Sequence, residues 1–255
     1  MKLNREKIAD LLRQVAGLAL FAAGKRDPLS GPFKVQWELT YRCNLRCSHC
    51  HIWKPENRVE ELSLERCKDI IHELKGMHVL NISFSGGEPL LRKDLFDILE
   101  HSARLGIATG LNTNGTLLSG ENARKLTEAG LGSAYLSLDG STAKLHDTIR
   151  GVPGTYEKIM GGLEALLSSR KNGKPAVLLN VTIMKSNVDD LYALVRRAHA
   201  AGVDGVTFSL LQNVEKYSPN ADQMLGDTDI PLLDEQLHRA RHDFPTLIAH
   251  PPAYF

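Results

Sequence analysis

Three cysteines, Cys43, Cys47 and Cys50, fall within eight residues in the run Thr40-Tyr41-Arg42-Cys43-Asn44-Leu45-Arg46-Cys47-Ser48-His49-Cys50. Their C-x3-C-x2-C spacing supplies three thiolates to a metal centre and withholds a fourth. Clusters that mainly pass electrons are closed by four cysteines. A four-iron cluster held by three keeps one iron open to a non-protein ligand, and an open iron can do chemistry on what binds it. Two rivals use the same residues. One is a zinc site completed by His49 or His51, since three cysteines and a histidine form an ordinary zinc set. The other is a redox disulfide between Cys47 and Cys50.

A second run, Ser85-Gly86-Gly87-Glu88-Pro89-Leu90, closes the next predicted strand. A structural zinc site has no use for such a glycine-rich strand end, so the pair of runs favours the cluster. Together, in this order and at strand ends, they resemble the radical S-adenosylmethionine (SAM) superfamily, a likeness that extends over residues 33–242.

The resemblance implies a [4Fe-4S] cluster on Cys43, Cys47 and Cys50, with SAM chelating the open iron through its methionyl amine and carboxylate. One electron, from a donor such as flavodoxin or ferredoxin, then cleaves the sulfonium bond to C5′. The 5′-deoxyadenosyl radical so formed abstracts hydrogen from substrate. The resemblance also assigns roles to the remaining site residues. Gly86 and Gly87 let backbone approach SAM where a side chain would occupy ligand space. Glu88 accepts from the methionyl ammonium. Ser137 and Asp139 contact the ribose or carboxylate, and Arg150, in His146-Asp147-x-x-Arg150-Gly151, pairs with the SAM carboxylate. His49 stands where the neighbouring backbone touches adenine.

Plainer readings stand beside these: a simple turn for the two glycines, a surface salt bridge for Arg150, and loop-backbone partners for Asn114 and Asn180. Cys67 shares a helix face with Leu64, Ile70, Ile71 and Leu74, so a buried inert thiol is expected rather than a fourth ligand. The remaining histidines show no i,i+4 pair near a carboxylate and suggest no separate metal site.

The elements that must position these residues alternate as strand and helix, the pattern of a parallel sheet built from βαβ units. Strands are predicted at Val35–Thr40, Val79–Ser85, Ile107–Asn112, Ala134–Asp139, Val177–Ile183 and Gly205–Leu210. Helices are predicted at Leu64–Lys75, Lys93–Leu105, Glu121–Ala129, Tyr156–Ser169, Val188–Ala201 and about Pro231–His242. Gly76, Gly106, Gly130 and Gly202 each follow a helix as expected left-handed caps, and Ser63 is a predicted N-cap. The fold class is therefore α/β, a partial (β/α)6 TIM-like barrel. The motifs all lie at strand C-termini, where β/α barrels gather their chemistry. Polar Asn180 and Thr182 within strand five, and Leu211-Gln212 after strand six, face the same way.

Ahead of this core, Ile8, Leu11, Leu12, Val15, Leu18, Ala19 and Ala22 recur at helical spacing. The uncharged part, Val15 to Ala23, is far shorter than the ~20 residues of a membrane span. It suggests an amphipathic helix packed on the domain or on a partner, with a weak membrane-surface or partner contact through residues 1–23. The expected organisation is a helical extension at 1–32, a radical SAM core at 33–242 and a C-terminal tail at 243–255.

The formal net charge of +1 excludes an electrostatic case for nucleic acid. Four cysteines, three of them clustered, exclude a disulfide framework and place the chain in the reducing cytoplasm. The stretch from Ser141 to Thr155 looks most like radical SAM peptide maturases and cofactor-building enzymes, which implies a peptide or biosynthetic intermediate as substrate. A lipid, sugar or tetrapyrrole precursor is a second enzymatic reading, and a non-catalytic iron–sulfur or zinc scaffold a third. No cysteine follows Cys67, so the chain either works with the SAM cluster alone or is a fragment.

Overall fold

The computed structural model describes residues 5–24, 31–57, 59–211 and 221–249. Six strands form one sheet: β1 (Lys34–Thr40), β2 (Asn81–Gly86), β3 (Ala108–Thr113), β4 (Ser133–Ser137), β5 (Ala176–Ile183) and β6 (Gly205–Leu210). They lie in sequence order and every neighbouring pair is parallel, so each link must cross over, as helices do here. No pairing joins β1 to β6 among the described residues, and the expected open α/β partial barrel is what forms.

The helices are α1 (Arg5–Ala22), α2 (Leu64–Gly76), α3 (Leu95–Arg104), α4 (Gly120–Glu128), α5 (Ala143–Arg150), α6 (Thr155–Ser168), α7 (Leu191–Ala201) and α8 (Ile230–Asp243). Period-two patterning shows how the sheet divides its faces. In β5, Val177, Leu179, Val181 and Ile183 are buried, while Leu178, Asn180 and Thr182 between them are half-buried. The same parity turns Gln36, Ser85, Asn112, Ser137 and Asn180 into one cavity, a polar residue from each of five strands.

Three local expectations are corrected. No helix was predicted between Gly140 and Tyr156, but this run contains α5, capped by the Thr142 hydroxyl at its start and by left-handed Gly151 at its end. Gly76 is the last residue of α2, and the left-handed residue nearby is His78, at φ 61°. Gly106, Gly130 and Gly202 do take positive φ, and the Ser63 side chain accepts from the Arg66 N–H. The sheet edge also continues past His242: Leu247 and Ile248 are buried, and the Val206 N–H donates to the Leu247 carbonyl at 2.7 Å. Gln212 and residues 250–255 lie outside the described residues.

Helix α1 packs by the opposite face from the one its apolar residues predict. Its buried stripe holds Asp10 and Gln14. Gln14 Nε2 donates to the carbonyls of Gly31 and His78, each at 3.2 Å. Asp10 lies 2.8 Å from His78 Nδ1 and 3.4 Å from Lys75 Nζ. Arg13 Nη1 stands 2.7 Å from His78 Nε2. Leu12, Leu18 and Phe21 remain 63%, 67% and 69% exposed. Among the described residues, no helix is long and apolar enough to cross a membrane.

Candidate cofactor site

The three cysteines occupy the loop after β1, and that loop is sewn to its surroundings through backbone. Gly87 N–H donates to the Thr40 carbonyl at 2.7 Å, and Glu88 N–H to the Arg42 carbonyl at 2.8 Å. On the other side, Arg46 N–H donates to Arg150 O at 3.2 Å and Ser48 N–H to Ile149 O at 2.9 Å, so the end of α5 backs the loop.

These bonds explain the glycines differently from the expectation of ligand space. A Cβ on Gly86, which sits at φ 115°, would lie 2.2 Å from the Thr40 carbonyl oxygen. One on Gly87 would lie 2.2 Å from Arg42 O and 3.1 Å from Cys43 Cβ. The neighbour that forbids a side chain is the cysteine loop itself. Both glycines still line the cavity.

Glu88, expected as the acceptor for the methionyl ammonium, meets protein partners here. It is fully buried and absent from the cavity wall. Its Oε1 accepts from Leu90 N at 3.1 Å and from the Thr113 hydroxyl at 2.8 Å, and its Oε2 from Asn114 N at 2.8 Å. It is a brace between the ends of β2 and β3. Burial pushes its pKa up to about 6, against the hydrogen bonds that pull it down. Beyond it, Asn114 Nδ2 donates to Asn44 Oδ1 and Asn44 Nδ2 to the Thr116 hydroxyl, both at 2.8 Å, which extends the brace to the cysteine loop.

Asp139 and Arg150 were each expected to meet SAM; the fold brings them to one another. Arg150 Nη2 is 2.7 Å from Asp139 Oδ2, and both side chains are buried. Oδ1 of Asp139 accepts from Thr182 N at 2.9 Å. The Asp139 N–H donates to His146 Nδ1 at 3.2 Å. Asn187, which carried no sequence signal, donates to the Asp139 and Thr182 carbonyls at 3.0 and 2.9 Å. Asp139 therefore stands behind the cavity rather than in it. Arg150 does line the cavity, and its Nη1 reaches 3.7 Å from Cys47 Sγ. Burial works against its charge, but Asp139 and then the cysteine sulfurs outweigh burial and leave its pKa raised.

His146 and Arg150 share this duty because they are four apart on α5 and so lie on one face. Asp147 of the same run points elsewhere, capping α6 through Gly154 N, Tyr156 N and the Thr155 hydroxyl at 2.6–2.8 Å. Thr142, Gly151 and the inward spacing of His146, Ile149 and Arg150 were the sequence signals of this helix.

The cavity measures about 330 Å³ and is lined by Cys43, Cys47, Cys50, His49, Arg150, Ser137 and both glycines, together with the polar strand residues. That volume is within the range of small-molecule sites. Gln36 and Ser85 were missed in the sequence, although their alternation with Val35, Trp37 and Phe84 announced an inward face. All three cysteines carry free thiols, as does buried Cys67. Burial pushes the Cys43 thiol up to about 11 and raises Cys50 as well. Ligation there must displace protons, and metal charge is what would stabilise the thiolates.

Two observations test whether a polar cofactor fits. His49 Nδ1 and Arg150 Nε are buried and have no hydrogen-bond partner, yet both side chains line the cavity. Orphaned buried donors and acceptors are costly unless something satisfies them. The three thiols face the same space. Three cysteines on one cavity wall, beside a buried guanidinium and imidazole that each keep an unpartnered nitrogen, are a donor set that three-cysteine cluster ligation fits.

The model of the radical SAM superfamily matches residues 37–198. An AdoMet-dependent heme synthase of Oleidesulfovibrio alaskensis is 36% identical over 174 residues, 66% of this chain and 43% of that protein. Mycofactocin maturase MftC of Mycolicibacterium smegmatis is 34% identical over 163 residues, 64% of this chain and 41% of that protein. The chain thus spans less than half the length of these curated relatives. In fold, it matches Streptococcus suis SuiB bound to precursor peptide SuiA with a TM-score of 0.74 at 19% identity, covering 97% of this chain and 54% of that one. SuiB bound to S-adenosylmethionine matches at 0.73, covering 95% and 55%. With a family model over most of its length and its three cysteines gathered at the strand ends, the chain belongs to the radical SAM superfamily.

Proposed function

We propose that this chain is the catalytic core of a radical SAM enzyme that abstracts hydrogen from a peptide or a biosynthetic intermediate. The observation that carries this is the convergence of Cys43, Cys47 and Cys50 with Arg150, His49 and the polar strand residues on one cavity. Cys43, Cys47 and Cys50 would hold a [4Fe-4S] cluster. When bound, such a cluster would supply the electron for reductive cleavage of SAM, the chemistry that makes hydrogen abstraction from substrate possible.

The chain's own residues contribute position and polarity. Ser137, Asn112, Asn180 and Gln36 offer hydrogen bonds to SAM's ribose, amine and carboxylate. Gly86 and Gly87 present backbone to the same space, and Arg150 keeps Nε free for a ligand. Burial lowers the pKa of His49, with Asp139 opposing and Arg150 assisting, so its ring is neutral and able to lie against adenine. Glu88 holds the Asn114 turn and the glycine turn in register.

The relative named a maturase and the peptide-bound SuiB fold support a peptide substrate. A tetrapyrrole precursor is the second reading, favoured by the 36% identity to a heme synthase. The electron comes from a flavodoxin- or ferredoxin-type donor. A reducing compartment, where thiolates stay free to hold metal, supports a cytoplasmic enzyme.

Anaerobic reconstitution followed by dithionite and SAM tests the reading. Wild type should release 5′-deoxyadenosine, and the triple variant Cys43→Ala, Cys47→Ala, Cys50→Ala should bind no cluster and release none. A four-iron cluster that loads fully in the wild type but yields no 5′-deoxyadenosine would refute catalysis by this core. Cluster loading in the triple variant would refute the ligand assignment.

A further inference from the structure

Arg150 acts on both Cys47 and Cys50, and it is the Cys47 sulfur that accepts its hydrogen bond. Arg150 Nη1 lies 3.7 Å from Cys47 Sγ, a separation of ordinary N–H···S bonding. The other arm of the same fork, Nη2, lies 2.7 Å from Asp139 Oδ2. Asp139 is in turn fixed by Thr182 N at 2.9 Å through Oδ1, and its backbone N–H by His146 Nδ1 at 3.2 Å.

A buried ion pair is a poor device for stability, because desolvation offsets most of its attraction. An apolar pair would hold α5 to β4 at least as well. What an apolar pair cannot do is hold a fixed positive charge against a thiolate. Hydrogen bonds to cluster sulfurs and local burial are the protein's means of setting a cluster's potential. In a buried setting, a charge so placed acts with little screening.

We propose that Arg150, held by Asp139, sets the reduction potential of the cluster through its hydrogen bond to the Cys47 sulfur. The inference rests on the reading that Cys43, Cys47 and Cys50 hold the cluster. Arg150 withdraws electron density from Cys47 and stabilises the added electron. Asp139 aims the fork and partly cancels its charge. Both are positioning residues here, since neither moves an atom in the reaction, and the two charges pull the potential in opposite directions.

Removing them one at a time therefore gives shifts of opposite sign. Arg150→Met keeps the length and apolar bulk but removes the cation, so the cluster becomes harder to reduce. Asp139→Asn removes the compensating anion, so it becomes easier to reduce. The experiment is anaerobic reconstitution, iron and sulfide analysis, and redox titration of the reduced cluster followed by electron paramagnetic resonance. At fixed potential, Arg150→Met should lower the reduced-to-oxidised ratio at least tenfold, about 59 mV for one electron. Asp139→Asn should raise that ratio, and Arg150→Lys should restore most of the loss.

Potentials unchanged in fully loaded Arg150→Met and Asp139→Asn would overturn the inference. So would shifts of both variants in the same direction, which is what simple loosening of the loop would give. Should Arg150→Met hold no iron, Arg150→Lys and Asp139→Asn decide: a wild-type potential in both overturns the inference, and an upward shift in Asp139→Asn alone supports it. A wild type that takes up no four-iron cluster removes the ligand assignment and this inference together. A loaded wild type with unmoved variants removes the inference alone.

Discussion

Replacing Glu88 by Gln changes one atom in a fully buried side chain that accepts three hydrogen bonds, and the cost can be worked from its partners. If the new amide nitrogen takes the place of Oε2, it faces the Asn114 N–H across 2.8 Å. If it takes the place of Oε1, it faces the Leu90 N–H across 3.1 Å, and the Thr113 hydroxyl must turn its proton away. Either orientation leaves a buried donor unmatched, at about 1–3 kcal/mol. Against this stands relief from a buried charge. The folded carboxyl titrates at about 6 rather than 4.5, a difference worth about 2 kcal/mol when ionised.

A folded pKa above the unfolded one means that the native state binds the extra proton between pH 4.5 and 6. Wild-type stability therefore falls as pH rises through that window, and the glutamine variant lacks this term. The stability gap between wild type and Glu88→Gln should thus narrow by about 1 kcal/mol between pH 5 and pH 7.5. Paired urea titrations of the cluster-free proteins measure it, and carboxylates common to both cancel in the difference. A gap constant across this range, or one that widens with pH, would show that Glu88 is not the buried brace described above.

The other predictions concern the same frame. Gly87→Ala forces a Cβ to within 2.2 Å of the Arg42 carbonyl; a loss of about 1–3 kcal/mol in thermal or urea unfolding is expected from overpacking, with reduced iron per chain because Cys43 is displaced. Gly161→Ala, on α6 with open space around the new methyl, should instead gain up to about 1 kcal/mol. Burial, aided by Arg150, lowers His146 to about 4 from 6.5. A depressed histidine means that the unfolded state binds more protons in that window, so His146 makes stability fall as pH drops from 6.5 to 4, by about 3 kcal/mol. His146→Gln should lose that dependence, which paired unfolding curves at pH 4.5 and pH 7 would reveal.

Local chemistry carried far in this sequence. The thiolate spacing of Cys43, Cys47 and Cys50 is decided within one loop, and the strand–helix rhythm follows from periodicities of two and 3.6 that each segment carries for itself. Hence the place of the three cysteines just after the first strand and the six parallel strands were legible residue by residue, as were the Ser63 cap and the left-handed glycines at 106, 130 and 202. The missed helix α5 had its cap signals in plain view but offered a polar surface, with His146 and Arg150 buried where apolar residues are expected.

What the tertiary structure alone decided is which partner each polar group meets. Arg150 and Cys47 stand 103 residues apart, and Asp139 and Thr182 stand 43 apart. No local pattern states that their side chains come within hydrogen-bond reach. A carboxylate at a strand end can face a ligand or a neighbouring strand with equal local propriety. For Glu88 and Asp139 the choice went to the protein, because the adjacent strand or loop end supplied unpaired N–H groups that had to be satisfied in a buried place. The glycines at 86 and 87 answer to the same cause, since the backbone crowding them comes from the preceding strand's loop. For α1, hydropathy pointed to the wrong face, because Asp10 and Gln14 found charged and carbonyl partners at His78, Lys75 and Gly31 that only the folded domain brings together.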